Sequence, residues 1–548
     1  MSSRIVSTFV LAVVGVAALP ATAQSFRVQC PTSTITHPIT PSNDNNSEPA
    51  YTGPTVFTTS GAYAVPSSNV NGAIKCQQIS GGDGYSTMAN GTQTFMFSFG
   101  PLSGLSDIAA GLPGTQYPNG FNTIYAGTLQ PGDPAATDGA TPSETQAPGL
   151  GSFQYNGAVG LTPNLDAQAG GLCGGTTGIS CLDGHVDPRE IMDVGVMNGN
   201  IPAPLMAIDE DDEFFLTLSN VGMIMRPDLF EQHTVHFHGY PNASSFYDGV
   251  PDASVAINIG GSFTYYYLAP DAGTYFWHCH ITPPEHLQMG MVGQIYVRPR
   301  QDRVPPGTTL YNALKAQQND LRTACKTSVD ILCTNPLPFG GDNGMTGGYT
   351  TAAVMTKKFA YNDGDGSTAY DVEYPLQIHG FDPNFHFVGM TFNPEAFVDM
   401  KDKFFLLNGR SYPDTITPGP LATESSDGRM HFSQPLPSII NIPAGGKALL
   451  RISDLDVTEY QTLASLGVPM HVVGYNAKLL RDQSGNNMAY YTNSITLAGG
   501  ESLDVILDAS NTARYPSGSV FYLYTPQLDH LSNDQENFGG LMTEVHIN

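Results

Sequence analysis

Between residues 233 and 291 the chain concentrates metal-binding side chains at strand spacing, and few folds can use them that way. The stretch reads His233-Thr-Val-His236-Phe-His238-Gly239, then Trp277-His278-Cys279-His280, then His286 and Met291. Successive side chains on a β-strand point to opposite faces. His236 and His238 therefore share one face, and His278 and His280 share another. Cys279 points the opposite way, and so does His233, three residues before His236. Two clusters follow. One holds four histidines. The other gathers His233, Cys279, His286 and Met291, the two imidazoles, thiolate and weak thioether of a blue (type 1) copper centre. Met289 is the competing thioether.

The segments around these residues resemble the multicopper oxidases. Asn198-Gly-Asn-Ile-Pro202 precedes the first motif and Asp248-Gly-Val-Pro251 follows it. Gly273-Thr-Tyr-Phe-Trp-His-Cys-His280 is similar to the family's paired-histidine strand, and Gly290-Met291-Val-Gly293 closes the unit. The resemblance runs from about Asp193 to Arg298. It implies copper as the cofactor, with a type 1 site at His233, Cys279, His286 and Met291. It also implies a type 2/type 3 cluster drawing on His236, His238, His278 and His280. The five-residue offset from His286 to Met291 matches the family. The step from Cys279 to His286 is two residues longer than usual, by an insertion at Pro283-Pro284. Asp248 reads as a turn residue or as a group that assists proton supply.

Residues 356–548 look like a divergent copy of the first unit. Pro469-Met-His-Val-Val-Gly-Tyr475 lines up with Thr234–Tyr240, Ile495–Leu503 with Ile257–Phe263, and Phe521–Pro526 with Tyr275–His280. On that alignment His471 stands at His236. Tyr524, Thr525 and Pro526 replace His278, Cys279 and His280, and His471 and His530 are remnants. The family's cluster takes eight histidines from two facing domains, whereas this chain offers four. His379, His386, His431 and His546 remain as unpaired candidates. His37 and His185 fall in loop-rich sequence, where a solvated side chain is the default. A partner chain could supply the missing ligands, two copies could meet about a two-fold axis, or the cluster is incomplete.

The expected fold is all-β: two cupredoxin-like Greek-key sandwich or barrel domains with long loop insertions. Gly 59 and Pro 41 mark a turn-rich chain. Residues 1–23 read as a signal peptide, with a short apolar stretch and Ala21-Thr-Ala23 as the cleavage site. Residues 24–85 read as an irregular extension, 86–300 as the copper-binding domain with an insertion at about 100–185, and 301–355 as a linker with a helix near Leu310–Ala324. No later run is long and apolar enough to span a bilayer. Export, to the periplasm or the medium, suits the cysteines. With Cys279 set aside, Cys30/Cys76, Cys173/Cys181 and Cys325/Cys333 pair by proximity.

A net charge of −27 disfavours nucleic acid as a partner. The leading expectation is an oxidoreductase that draws electrons from a metal ion or small organic reductant and passes them to O2, completed by oligomerisation or a partner subunit. An electron-transfer or copper-binding assembly protein without oxidase activity is the alternative. Copper nitrite reduction is the third reading, although His236 and His280 exceed what a single type 2 copper needs.

Overall fold

The computed structural model describes residues 30–548 except 61–62, 105–106, 109, 123, 126–152, 157–159, 164–198, 224, 227, 230, 241–243, 260, 270, 318–335, 340–357, 392–395 and 425–429. The signal-peptide reading, Cys173/Cys181, Cys325/Cys333 and His185 lie outside the described residues.

Eight strands build the first unit: β1 (Ile74–Thr87), β2 (Gln93–Pro101), β3 (Met206–Asp209), β4 (Glu213–Gly222), β5 (His236–His238), β6 (Ser262–Leu268), β7 (Gly273–His278) and β8 (Val292–Arg298). They form two four-stranded sheets, ordered β5-β7-β8-β3 and β6-β4-β1-β2. Aromatic and β-branched residues of β2, β4 and β6 fill the space between the sheets, with Trp277, Cys279, Met289 and Met291 in the same core. Trp277 lies over Gly293 on the neighbouring strand. A Cβ there would fall 2.5 Å from the indole ring, so only glycine admits it.

The second unit repeats this plan. Its strands are β9 (Val372–Phe381), β10 (Phe404–Leu407), β11 (Ile440–Ile442), β12 (Lys447–Asp454), β13 (Gln461–Leu466), β14 (Met470–Tyr475), β15 (Ser494–Leu497), β16 (Glu501–Asp508), β17 (Val520–Tyr524) and β18 (Met542–Ile547). One sheet runs β10-β9-β12-β16-β14, extended by two short strands, and the other β11-β18-β17-β13-β15. A separate apolar core fills it. The all-β, two-sandwich expectation of cupredoxin type holds.

Three expectations change. The 24–85 segment is not irregular. After a hairpin (Val56–Ser60, Tyr63–Ser68), β1 lies between β4 and β2 in the middle of a sheet. Its glycines and buried Gln77, Gln78, Ser80 and Asp83 carry no alternating apolar signal. The 100–185 insertion contains a helical turn (Pro118–Phe121) and a three-stranded antiparallel sheet (Ile124–Tyr125, Phe153–Asn156, Gly160–Pro163). His37, expected to be solvated, is buried, with Nε2 on the Asn71 carbonyl and Nδ1 3.4 Å from Glu213.

Helices are few: α1 (Pro283–Gln288), α2 (Leu310–Gln317) and α3 (Pro383–Met390). No helix among the described residues is long and apolar enough to cross a membrane. The Cys30–Cys76 disulfide is present, with Cα atoms 5.9 Å apart, and ties the N-terminal segment to β1. The copper-motif sheet of the first unit rests on the β9-β12-β16 sheet of the second. Thr274 donates to Asp504, Gln294 to the Arg451 carbonyl, and Arg298 to Glu373.

Candidate metal centres

Two histidine-bearing clusters lie on opposite faces of β7. On the core side, Cys279 Sγ is 3.2 Å from His286 Nδ1 and accepts from the Thr234 amide. The His233 and His286 rings are 5.4 Å apart, and both are buried. The ligating atoms of His233, Cys279 and His286 all lie within 4.8 Å of one another. Met291 closes this loop through its backbone, accepting from the Cys279 amide and donating to the His286 carbonyl. Met289 is turned the other way, against Gly389 of α3.

His233 has no hydrogen-bond partner on either ring nitrogen. An unpaired buried polar atom costs about 1–3 kcal/mol, so two on one ring call for a ligand. The ring is wedged against β1, where a Cβ on Gly81 would come within 2.6 Å of its Cδ2. Burial holds His233 neutral, well below the usual histidine range, which is the form a metal takes. Burial would raise Cys279, but the adjacent His286 brings it below the usual thiol value. Burial would lower His286, but Cys279 and Glu231 lift it to about 10. A buried, thiolate-prone cysteine between two imidazoles fits a soft, thiophilic ion. The residues present therefore fit copper.

On the opposite face, the rings of His236, His238, His278 and His280 converge. His236 stands 5.7, 5.2 and 5.1 Å from the other three. The His236 Nδ1–H donates to the Asp248 carbonyl and the His278 Nδ1–H to the Cys279 carbonyl, which leaves each Nε2 free to point into the cluster. Asp248 thus orients His236 through its backbone. Burial lowers His278 to about 3 and His238 to about 4, and lowers His236 as well, so all three stay neutral at ordinary pH. His236, His238 and His280 are half-buried, and a cleft of about 510 Å³ opens beside the cluster. His238, His278 and Pro284 line one side; Asp456, Glu459 and Gly500 line the other.

Among the described residues, no second-unit histidine enters this cluster. His379 Nε2 lies on the Leu287 carbonyl and His386 Nε2 on the Gln288 carbonyl. His471 stacks on Tyr491, and His546 pairs with Glu544. The side chain of His431 lies outside the description.

Strand pairing corrects the alignment of the two units. His471 does not stand at His236. Its strand, β14, pairs with β16, whereas β5 pairs with β7 and the strand that pairs with β17 is β13. His236 faces His278 across its pair, as Ala464 faces Tyr524. Leu466 then takes the place of His238, and Gln461, three residues before Ala464, that of His233. The Thr525 amide donates to the Leu541 carbonyl and the Leu541 amide to the His530 carbonyl, the same two bonds that join Cys279, Met291 and His286. His530, Thr525 and Leu541 therefore occupy the places of His286, Cys279 and Met291. Glu231, which the sequence reading missed, lies 3.3 Å from His286 Nε2, as Glu459 lies 3.2 Å from His530 Nε2. The shared Glu-x-His and Glu-x-Gln spacing is the signal that could have found both.

Residues 183–302 match the multicopper oxidase family. Over 123 residues the chain is 32% identical to a multicopper oxidase (MCE) of Talaromyces pinophilus, covering 22% of this chain and 19% of that protein. Over 125 residues it is 34% identical to laccase-1 of Emericella nidulans, covering 22% and 18%. The matched part spans about a fifth of the length of these relatives. A blue copper oxidase from Nitrosomonas europaea superposes on 64% of this chain and 78% of its own at 20% identity, with a TM-score of 0.41. The family match is confined to residues 183–302, and the metal that family implies is copper.

Proposed function

We propose that this protein is an exported multicopper-oxidase-like oxidoreductase. His233, Cys279, His286 and Met291 would hold a type 1 copper. His236, His238, His278 and His280 hold half of a type 2/type 3 cluster. Bound there, copper supplies one-electron transfer at the first site and reduction of O2 to water at the second.

The unpaired nitrogens of buried His233 carry the reading. At the corresponding place in the second unit, Gln461 and His530 satisfy each other at 2.9 Å. A site with its polar atoms unpaired is built for an ion; a site that closes on itself is not. Met291 is preferred to Met289 because Met289 packs against Gly389.

Each residue then has a task. Cys279 binds one metal through its side chain, while its backbone joins His278 and His280, so the covalent path between the sites is short. Glu231, 3.3 Å from His286 Nε2, favours a proton on that nitrogen and so leaves Nδ1, beside Cys279, for the metal. Core packing around Cys279 and Met291 excludes water from the first site. The cleft at His238 and His278 leaves the second site open to O2 and to a partner. A second copy or another subunit supplies the missing ligands. The reductant is a metal ion or a small organic donor. The Cys30–Cys76 disulfide supports an oxidising compartment, periplasmic or extracellular.

One observation favours a second reading. No second-unit histidine among the described residues meets the cluster, as suits a type 1 electron carrier or copper-assembly protein. Copper per chain, optical and EPR spectra, and mass in solution on copper-loaded protein decide between them. A dimer sharing one three-copper cluster carries two type 1 coppers plus three, about 2.5 per chain, and consumes oxygen. One blue copper per chain with no oxygen uptake identifies the carrier. A colourless, copper-free protein after loading ends both readings.

A further inference from the structure

Two of the histidines that fail to reach the cluster do something else. α1 exists because of the residues added at Pro283-Pro284, and it carries His286 and leads into Met291. A helix leaves its last carbonyls without intrahelical partners. Here the last two are met from the second unit, at Leu287 in addition to the Gly290 amide. His379 Nε2 is 2.8 Å from the Leu287 carbonyl, and His386 Nε2 is 2.9 Å from the Gln288 carbonyl. His386 Nδ1 lies 2.6 Å from the Phe95 carbonyl of β2, and the neutral ring, with one N–H, donates to one of these two carbonyls at a time. Two residues along that strand, Phe97 packs edge-on against the His286 ring at 5.1 Å. The Gln288 side chain is held at both ends, donating to Asp402 and accepting from the Asp382 amide. His379, His386 and Gln288 are all buried.

We propose that His379 and His386 are positioning residues for the type 1 site: His379 fastens the end of α1 to the second unit, His386 fills the space between α1 and β2 with its one N–H on either carbonyl, and together they set where His286 and Met291 stand. The inference rests on the copper reading above. The geometry has a clear logic. The lengthened loop between Cys279 and His286 has more freedom to lose, and the properties of a type 1 centre depend on where its loop ligands lie. Outer contacts of this kind fix ligand orientation. The second unit, which has no matching ligand set among its described residues, acts as the clamp on its neighbour's.

The test uses the full chain, with His379→Ala and His386→Ala beside His379→Gln and His386→Gln, in which an amide Nε2 can still donate to the same carbonyl. Hydrogen exchange is followed in the copper-free protein across residues 280–292. The blue absorption, EPR spectrum and reduction potential are followed in the copper-loaded protein. Each alanine variant is expected to speed exchange in that segment by roughly two- to tenfold, the effect of one lost hydrogen bond. It should also move the potential and the EPR pattern, and the glutamine variants should restore both. An unchanged segment and potential, or faster exchange spread evenly over the chain, overturns the proposal even if the melting temperature falls. Should His386→Ala not fold, His379→Ala removes a single bond and carries the test. A wild-type chain that takes up no blue copper overturns the copper reading, while hydrogen exchange still judges the clamp.

Discussion

The two units place the same backbone around the same four positions and fill them differently. In the first unit these are His233, Cys279, His286 and Met291; in the second, Gln461, Thr525, His530 and Leu541. A glutamate stands two residues before the first member of each set and faces the second imidazole, at 3.3 Å in one unit and 3.2 Å in the other. The difference lies in what is left unpaired. His530 is held by Gln461 and Glu459 and lies flat on Phe405, with ring centres 3.7 Å apart. His286 meets the corresponding Phe97 edge-on, and neither ring nitrogen of His233 beside it has a hydrogen-bond partner. On the proposed copper reading, a unit without the metal differs by more than a missing thiolate. The remaining polar groups have to find one another, and an amide at 461 lets them do so.

The comparison breaks most completely at Cys279. Cys279→Ser should abolish the intense blue absorption and leave the far-UV circular dichroism unchanged, because Thr525 shows that a hydroxyl is tolerated there. A mutant that stays blue would refute the ligand set. His236→Ala is expected to remove oxygen reduction, read as oxygen uptake with a reductant, while sparing the type 1 spectrum. The two sets sit on opposite faces of β7 and share only backbone. Persistent oxygen uptake would move that chemistry away from the four histidines.

The converse experiment rebuilds the lost site. Gln461→His, Thr525→Cys and Leu541→Met together restore the four side chains on an unchanged frame. The two substitutions at the fully buried positions 525 and 541 nearly conserve volume. Copper per chain should rise by up to one, with a second blue EPR signal weaker than the first because Phe405 stacks over the His530 ring. No gain in copper would mean that the backbone of the second unit has drifted from ligand geometry despite its retained hydrogen bonds.

How much of this was readable beforehand depends on what each segment packs against. Ser262–Leu268 and Gln93–Pro101 announce themselves because apolar and aromatic residues alternate toward one core. Ile74–Thr87 does not, because it is buried on both sides by polar contacts and close backbone approach. Strand parity separated His236, His238, His278 and His280 from His233 and Cys279, whereas His286, on a helix, and Met291 came from the ligand set of a blue copper centre. The pairing of the two units could not be read this way, because the His471 segment imitates the first histidine motif while β13, with no histidine, holds its place. Only hydrogen-bond register distinguishes the two, and the sequence expresses it faintly in the spacing of Glu459, Gln461 and Ala464. His379 and His386 were readable as histidines, but their partners are carbonyls roughly ninety residues away, and a backbone oxygen has no sequence signature.

The smallest effect expected on copper comes from the seam that joins the units, where Glu373 lies between Arg298 and Arg451 at 2.7 and 2.9 Å. Burial would raise this carboxyl, but the two guanidinium groups outweigh it and hold it at about 2 against an ordinary value of 4.5. A depressed carboxyl contributes stability that is fully present above pH 4.5 and is lost as pH falls toward 2. That lowering corresponds to about 3 kcal/mol at most. Glu373→Gln should therefore unfold at lower denaturant at pH 7, with Arg451 left buried beside a neutral partner. The gap from wild type should narrow progressively below pH 4.5. The folded variant should keep its blue spectrum at pH 7, because Glu373 touches no ligand. A gap that stays constant with pH would assign the loss to packing rather than charge. A changed spectrum would mean that the second unit reaches the copper through this seam as well as through α1.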